Sequence, residues 1–219
     1  MDKMDKKEVL ERLRSGGLVP VLRAPSAEDA LAVSEVLCMA GLTALEITMT
    51  VPGAVDVIGQ LAKRFGKDLL VGAGTVLDAK SAAACIAAGA TFIISPSLEL
   101  EVVAHCNQAG VAVMPGALTP TEVVKAWRSG ADMVKVFPCS AVGGASYIKA
   151  LKAPLPQIEM VPTGGVSLET AASFIKAGAA ALGVGGDLVD VAAVRAGRGD
   201  EVAGKARQYL AIVKEARAK

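Results

Sequence analysis

A glycine precedes nearly every short apolar run in this chain, and the interval between the runs constrains the fold. The apolar runs are 18–22, 44–48, 69–71, 92–94, 111–114, 133–138, 158–161 and 181–184. The preceding glycines are Gly17, Gly41, Gly66, Gly89, Gly110, Gly130 and Gly178, while Pro154 and Pro156 precede the run at 158–161. A spacing of roughly 20–25 residues fits one strand, one helix and two short connections. Glycine is favoured just after helices, because the left-handed conformation costs it little. We therefore predict eight strands that alternate with helices.

The segments between the runs carry signals for helix starts. Ser26 is a candidate N-cap, and Thr119-Pro120-Thr121-Glu122 resembles a capping box with proline at the first helical position. Helical periodicity is present in 27–40, 54–65, 79–88 and 168–177. We also predict an extra N-terminal helix over 6–15, which would cover one end of the sheet, and a closing helix over 203–218.

Eight alternating strand and helix units predict an α/β fold, a (β/α)₈ TIM barrel with an extra N-terminal helix. The alternative is an open, doubly wound sheet, which would carry Gly-x-Gly-x-x-Gly after its first strand. The first strand is instead followed by Arg23-Ala24-Pro25. No linker divides the chain, so residues 1–219 are predicted to form a single barrel domain.

Composition excludes several classes of function. The 23 basic and 22 acidic residues nearly balance and form no long basic run, so no nucleic-acid partner is expected. The four cysteines are isolated and the chain has one histidine, which argues against a metal site. No apolar stretch of about 20 residues is present, and the N-terminus lacks a secretory pattern. We expect no membrane partner and a cytoplasmic protein.

The run 133–138 contains a lysine where apolar residues are expected. Side chains alternate along a strand, so Met133, Lys135 and Phe137 share one face. Burying a lysine is costly, because desolvation disfavours the charged ammonium form. On the second strand Glu46 and Thr48 share a parity that would direct both into the barrel. Lys135 could instead end its strand and reach solvent, or pair with Glu46 as a purely structural ion pair. The functional alternative is a proton-transferring carboxylate beside an amine that attacks a carbonyl.

Other unusual residues lie at the carboxyl ends of the strands, where barrel enzymes place their active sites. Arg23 is a candidate ligand for a substrate carboxylate, or else the partner in a surface salt bridge. Gly74 and Thr75 follow the third strand and could bind the same carboxylate. The pairs Gly164-Gly165 and Gly185-Gly186 leave backbone N–H groups open to an anion, with a predicted helical turn after each pair. A phosphate site is therefore predicted at the last two strands.

The sequence resembles the 2-keto-3-deoxy-6-phosphogluconate aldolases, a family often bifunctional with 4-hydroxy-2-oxoglutarate. The resemblance covers nearly the whole chain, in family order. It is carried by Val19-Pro20-Val21-Leu22-Arg23, Leu45-Glu46-Ile47-Thr48, Val71-Gly72-Ala73-Gly74-Thr75-Val76, Ile94-Ser95-Pro96, Met114-Pro115-Gly116, Val134-Lys135-Val136-Phe137-Pro138 and Val161-Pro162-Thr163-Gly164-Gly165-Val166.

The resemblance implies a class I aldolase, a carbon–carbon lyase that requires no cofactor or metal. It implies that Lys135 forms a Schiff base with pyruvate or a 2-keto acid substrate and that Glu46 is the general acid/base. By the same resemblance, Arg23, Gly74 and Thr75 form the carboxylate site, and Gly164, Gly165, Gly185 and Gly186 form the phosphate site. The pocket residues implied by it are Thr48, Pro96, Phe137 and Thr163. A homotrimer and a role in the Entner–Doudoroff pathway of carbohydrate metabolism are also implied.

Two positions depart from the family pattern. Many members bind phosphate through a serine in the last strand's loop, whereas this chain reads Gly185-Gly186-Asp187, and an inward Asp187 would repel phosphate. Thr163 is typical of the gluconate-type enzymes, whereas Ser140 stands where many of those have glutamate. Galactonate-type or unphosphorylated 2-keto-3-deoxy acids are therefore alternative substrates. Two further alternatives are an isomerase or epimerase and a non-catalytic barrel that binds a phosphorylated metabolite.

Overall fold

The computed structural model describes residues 4–218, and its strands follow the predicted apolar runs. The strands are β1 (Leu18–Leu22), β2 (Ala44–Thr48), β3 (Leu70–Gly74), β4 (Phe92–Ile94), β5 (Ala112–Met114), β6 (Gly116–Ala117), β7 (Val134–Val136), β8 (Met160–Pro162) and β9 (Leu182–Val184). Strand β5 lies in the predicted fifth run at 111–114, and β6 continues the same barrel strand beyond that run, after Pro115, a residue without an N–H to donate. Strand β7 is thus the predicted sixth strand, and it is limited to the three residues around Lys135.

All of the strand pairs are parallel, and together they close a barrel. One sheet has the order β5-β4-β3-β2-β1-β9, and the other has the order β6-β7-β8. The fifth strand joins the two sheets on one side through Pro115, whose carbonyl accepts the N–H of Lys135 at 3.0 Å. On the other side, Thr163 bridges to Gly183 in parallel fashion, and the N–H of Ala180 donates to Met160. The predicted (β/α)₈ architecture is confirmed.

Helices alternate with the strands. They are α1 (Lys6–Gly16), α2 (Ala27–Met39), α3 (Ala54–Phe65), α4 (Ala79–Ala88), α5 (Leu100–Gln108), α6 (Pro120–Arg128), α7 (Ala145–Lys152), α8 (Ala171–Lys176), α9 (Val191–Arg195) and α10 (Gly199–Arg217), with a 3₁₀ helix over Cys139–Val142. The N-cap of α2 at Ser26 and the capping box of α6 form as predicted. The closing helix α10 begins four residues before its predicted start. Residues 186–188 form a turn, rather than the predicted helical turn over 187–189, and the N–H groups of Leu188 and Val189 both donate to the Gly185 carbonyl.

Two apolar layers follow from strand parity. Alternate strand residues pack outward against the helices, as Ile47, Val134 and Val136 do. The other parity fills the barrel interior, where α1 closes the amino end of the barrel. The interior layer consists of Val9, Leu10, Leu13, Val19, Ala44, Leu70, Phe92, Ile94, Ala112, Met114, Met133, Val161 and Ala181. Because this apolar layer fills the amino end of the barrel, the interior positions nearer the carboxyl ends of the strands are left for polar side chains.

Within residues 4–218, no helix combines the length and the apolar character needed to cross a membrane. Nor do these residues contain a group of three or more His, Cys, Asp or Glu side chains placed to hold a metal ion.

Candidate active site

A lysine and a glutamate face each other inside the barrel, above the apolar layer. Lys135 on β7 is only 3% exposed and Glu46 on β2 only 1%. Their parity places both in the interior, as predicted, and Lys135 Nζ lies 3.7 Å from Glu46 Oε1. That separation is an ion pair rather than a hydrogen bond, since a hydrogen bond to an ammonium group is nearer 2.9 Å. Lys135 therefore does not extend to solvent.

The environment of Glu46 favours its protonated form. Burial raises the pKa of the Glu46 carboxyl above its ordinary value, and the nearby charges of Lys135 and Arg23 oppose that rise only in part. Glu46 Oε1 is buried without a hydrogen-bond partner in the protein. A buried carboxylate oxygen that accepts no hydrogen bond is costly, and such groups concentrate at functional sites. A carboxyl whose pKa is raised in this way is suited to accept and return a proton during a reaction.

Glycines on neighbouring strands create the space that the polar side chains occupy. A Cβ on Gly74 would lie 1.8 Å from Glu46 Oε1, and a Cβ on Gly183 would lie 2.1 Å from Thr163 Oγ1. Gly116, the strand partner of Lys135, leaves similar room for the carbonyl oxygen of Pro96, 2.1 Å from the Cβ position. Sequence reasoning missed Gly116 and Gly183, although a glycine at an interior position of a strand is itself a signal of close approach.

Three of the predicted pocket residues lie on, or just beyond, the strands that carry this pair and the strand beside Lys135. The ring of Phe137 lies 5.4 Å from Lys135 Nζ, measured to its centroid. The Thr48 hydroxyl is fully buried, donates to the Leu22 carbonyl at 2.9 Å and lies 2.7 Å from Thr50 Oγ1. Thr163 is buried on the interior face of the seventh barrel strand, two residues beyond the strand partner of Lys135. These elements bring polar and aromatic groups to one end of the barrel.

Two predicted carboxylate ligands carry hydrogen-bond donors without protein partners. Arg23 is exposed and takes part in none of the ion pairs found in residues 4–218, so the predicted alternative of a surface salt bridge is wrong. Its guanidinium lies beside the last strand's loop, with Nη1 3.7 Å from where a Cβ on Gly185 would be. Thr75 has a left-handed backbone with φ of 59°, the only such non-glycine residue among those described. Strain of this kind persists where the surrounding fold enforces it, often at binding sites.

The two glycine pairs form adjoining loops with free backbone donors. Gly164 and Gly165 have φ values of 90° and 76°, which side chains rarely adopt. The N–H groups of Gly164, Gly165 and Gly186 donate to no acceptor within the described part of the chain. Gly186 is exposed, and a Cβ there would meet nothing within 4 Å. Backbone N–H groups left free in loops of this kind are a common way to bind an anion.

Asp187 and Ser140, the residues that depart from the family pattern, lie at the edges of these loops. The Asp187 carboxylate is bound by Tyr209 and Lys205 of α10, so it is directed toward that helix. Ser140 is exposed in the 3₁₀ helix, and its Cβ is 2.4 Å from the Cβ position of Gly165, which explains a glycine there. Neither residue places a negative charge between the glycine pairs.

An apolar cavity of about 420 Å³ lies at the opposite end of the barrel. It is lined by helix ends and by Val9, Leu69 and Val111, and it contains neither Lys135 nor Glu46. The candidate active site at the carboxyl ends of the strands is therefore identified by its chemistry, and this cavity is separate from it.

Comparisons with known proteins identify the family to which this chain is similar. Residues 9–204 match the family model described as KDPG and KHG aldolase. The 2-dehydro-3-deoxy-phosphogluconate aldolase of Treponema pallidum is 35% identical over 207 residues, covering 94% of this chain and 96% of that protein. The 2-dehydro-3-deoxy-6-phosphogalactonate aldolase of Escherichia coli is 38% identical over 198 residues, covering 90% and 93%.

One similar solved structure contains a covalent reaction intermediate. The structure of KDPG aldolase from Legionella pneumophila, with pyruvate captured as a covalent carbinolamine intermediate, matches with a TM-score of 0.83. It is 28% identical and covers 90% of this chain and 96% of that one.

Proposed function

Because this chain belongs to the KDPG and KHG aldolase family, we propose that it is a class I aldolase in which Lys135 forms the Schiff base. Its principal substrate is 2-keto-3-deoxy-6-phosphogluconate, which it cleaves to pyruvate and glyceraldehyde 3-phosphate. It also cleaves 4-hydroxy-2-oxoglutarate to pyruvate and glyoxylate. The observation that carries the proposal is the buried Lys135 amine 3.7 Å from the Glu46 carboxylate.

The reaction begins at Lys135. Its neutral amine attacks the C2 keto carbon, and the carbinolamine loses water to give an iminium, with Glu46 transferring the protons. Glu46 then takes the proton from the C4 hydroxyl. The C3–C4 bond breaks and its electron pair becomes the C2=C3 double bond of an enamine, while the electron pair of the C=N double bond moves to nitrogen and the aldehyde leaves. Protonation of the enamine at C3 and hydrolysis release pyruvate and restore the lysine.

Free donors around this pair would hold the two ends of the substrate. The C1 carboxylate, which is beside the reacting carbon, is bound by the side chains of Arg23 and Thr75 and by the backbone of Gly74. The N–H groups of Gly164, Gly165 and Gly186 bind the 6-phosphate. Phe137 forms an apolar wall beside the Schiff base, and Pro96, Thr48 and Thr163 complete the pocket. No step in this scheme requires a cofactor or metal.

Thr163 supports the gluconate configuration at C4. Its hydroxyl is on the interior face, where Gly183 leaves room for it, and a polar group there can pair with a substrate hydroxyl. The 38% identity to the galactonate enzyme of Escherichia coli makes the galactonate-type substrate the second candidate. Comparing kcat/KM for the two C4 epimers decides between them.

Borohydride trapping tests the central claim. The protein is incubated with pyruvate, reduced with borohydride, and digested for mass spectrometry. We expect a reduced pyruvate adduct on the peptide that contains Lys135 and none in the Lys135→Met variant. The matched control is Lys149→Met, because Lys149 is an exposed lysine on α7 and its loss should leave the adduct in place.

The outcome also separates the alternatives. An isomerase, an epimerase or a non-catalytic binding barrel would form no adduct on Lys135, and an adduct on another lysine would contradict the assignment. If the adduct forms on Lys135 but the enzyme cleaves only unphosphorylated 2-keto-3-deoxy acids, the Schiff-base assignment stands and the phosphate site is wrong.

The same proposal includes the assembly and cellular setting. We expect one barrel domain per chain, a homotrimer, a cytoplasmic location and a role in the Entner–Doudoroff pathway, all supported by membership of the family. Light scattering of the purified protein tests the trimer directly.

A further inference from the structure

Asp187 follows the second glycine pair and is tied to a helix that comes later in the chain. Its Oδ2 lies 2.5 Å from the Tyr209 hydroxyl and 3.0 Å from Lys205 Nζ. Lys205 and Tyr209 are four residues apart on α10, so both side chains project from the same face of that helix. The carboxylate is therefore bound from outside the barrel by one neutral donor and one cation.

The Tyr209 hydroxyl lies between the loops that contain the two glycine pairs. It is fully buried, and it lies 3.5 Å from the carbonyl oxygen of Val166, the residue after Gly164-Gly165. A hydroxyl has one proton to donate, and the 2.5 Å distance assigns it to Asp187. Burial raises the pKa of Tyr209 above its ordinary value, so the hydroxyl remains a donor.

We propose that Tyr209 is a positioning residue that holds the Asp187 carboxylate out of the anion site and so permits a phosphorylated substrate. Lys205 is partly exposed, so its ion pair with Asp187 alone is a weak restraint. Without the buried hydroxyl, the carboxylate could turn toward the free N–H groups of Gly186 and its neighbours. It would then occupy those donors and repel a phosphate. This inference rests on the proposed function, because it concerns the phosphate end of that substrate.

The test compares two substrates in one sample. The ratio of kcat/KM for 2-keto-3-deoxy-6-phosphogluconate to that for 4-hydroxy-2-oxoglutarate does not depend on the folded fraction. We expect Tyr209→Phe to lower this ratio about tenfold. Asp187→Asn should leave the ratio within about threefold of the original, since the charge lies outside the site. Adding Asp187→Asn to Tyr209→Phe should restore the ratio, because no carboxylate remains to enter the site.

The matched control is Tyr147→Phe. Tyr147 is the other tyrosine of the chain, and its hydroxyl donates to the Leu118 carbonyl rather than to Asp187 or to a residue of either glycine pair. We expect its ratio to stay within about twofold of the original. The proposal is overturned if Tyr209→Phe leaves the ratio unchanged, or if the double variant is as poor as Tyr209→Phe alone.

Calorimetric titration with inorganic phosphate separates this inference from the proposed reaction, because it needs no turnover. Weaker phosphate binding in Tyr209→Phe, and recovery in the double variant, would support the positioning role even if aldol cleavage were not found. Equal phosphate binding by the original chain and Tyr209→Phe would overturn it even if aldol cleavage were established.

Discussion

Gly74→Ala is expected to disable the proposed acid/base group without touching the lysine. The new Cβ would lie 1.8 Å from Glu46 Oε1, whereas ordinary contact begins at 3.4 Å. The carboxylate must therefore move by about 1.6 Å, the difference between these two distances. Misplacing a reacting group by about 1 Å can cost about 10²-fold in rate. We expect kcat to fall by about 10²-fold or more, toward the loss of about 10²–10⁴-fold expected for Glu46→Gln.

The stability cost of Gly74→Ala should be modest. Overpacking of an interior typically costs about 1–3 kcal/mol, and each kcal/mol lowers Tm by roughly 2–4 °C in a chain of this length. Gly204→Ala is the matched control, because a Cβ there meets nothing within 4 Å and the residue lies inside α10. It should keep full activity and gain about 0.5–1 kcal/mol of unfolding free energy.

Steady-state kinetics of a double variant test whether Gly74→Ala acts through Glu46. If Gly74→Ala acts through Glu46, then combining it with Glu46→Gln should slow turnover no further than Glu46→Gln does alone. Prolonged borohydride trapping should still mark Lys135, because the lysine has not moved. A Gly74→Ala enzyme with kcat within threefold of the original, or rate losses that multiply in the double variant, would refute the assigned role of this glycine.

Three further predictions concern pH, phosphate preference and helix capping. Since burial raises the pKa of Glu46, kcat/KM should fall on the acid side with an apparent pKa above the ordinary 4.5, and Glu46→Gln should remove that limb from the residual activity. Because of the same raised pKa, the folded protein holds this proton more tightly than the unfolded chain does. Glu46 therefore contributes less to the free energy of unfolding as the pH rises from its ordinary pKa to the raised one. Denaturant titrations of the original protein and of Glu46→Gln at several pH values can check this. Gly186→Ser should raise the ratio of phosphorylated to unphosphorylated kcat/KM, because the added side chain meets nothing within 4 Å and brings a hydroxyl to the loop; an unchanged ratio would contradict this. Glu122→Ala should cost about 1 kcal/mol of unfolding free energy at neutral pH, because Glu122 accepts the N–H groups of Leu118 and Thr119. Those bonds lower the pKa of Glu122 below its ordinary value. The loss of unfolding free energy in Glu122→Ala should therefore shrink as the pH falls from the ordinary pKa through the lowered one and the carboxylate is protonated.

Much of the fold and part of the site could be read from local sequence. The glycine spacing predicted the strand and helix units, because a left-handed residue after a helix is a local backbone requirement. Strand parity directed Lys135, Glu46 and Thr48 to the same interior, because side chains alternate on every strand regardless of its neighbours. The capping box at Thr119 formed as predicted for the same reason, since all of its bonds join residues within one turn.

Contacts between distant segments could not be predicted in this way. The sequence predicted Gly74 as a substrate ligand, but which side chain fills the space beside it depends on the register between β2 and β3. Arg23 was expected beside a carboxylate or in a salt bridge, and its position beside Gly185 depends on how β1 pairs with the last strand.

The sequence alone therefore predicted the barrel and which residues face its interior, because each strand and helix unit spans only roughly 20–25 residues and side chains alternate along every strand. Only the tertiary structure decided where the charge of Asp187 goes. Asp187 and Tyr209 are 22 residues apart, and α10 must dock on the barrel before their contact exists. That docking directs the Asp187 carboxylate toward α10 and away from the proposed phosphate site.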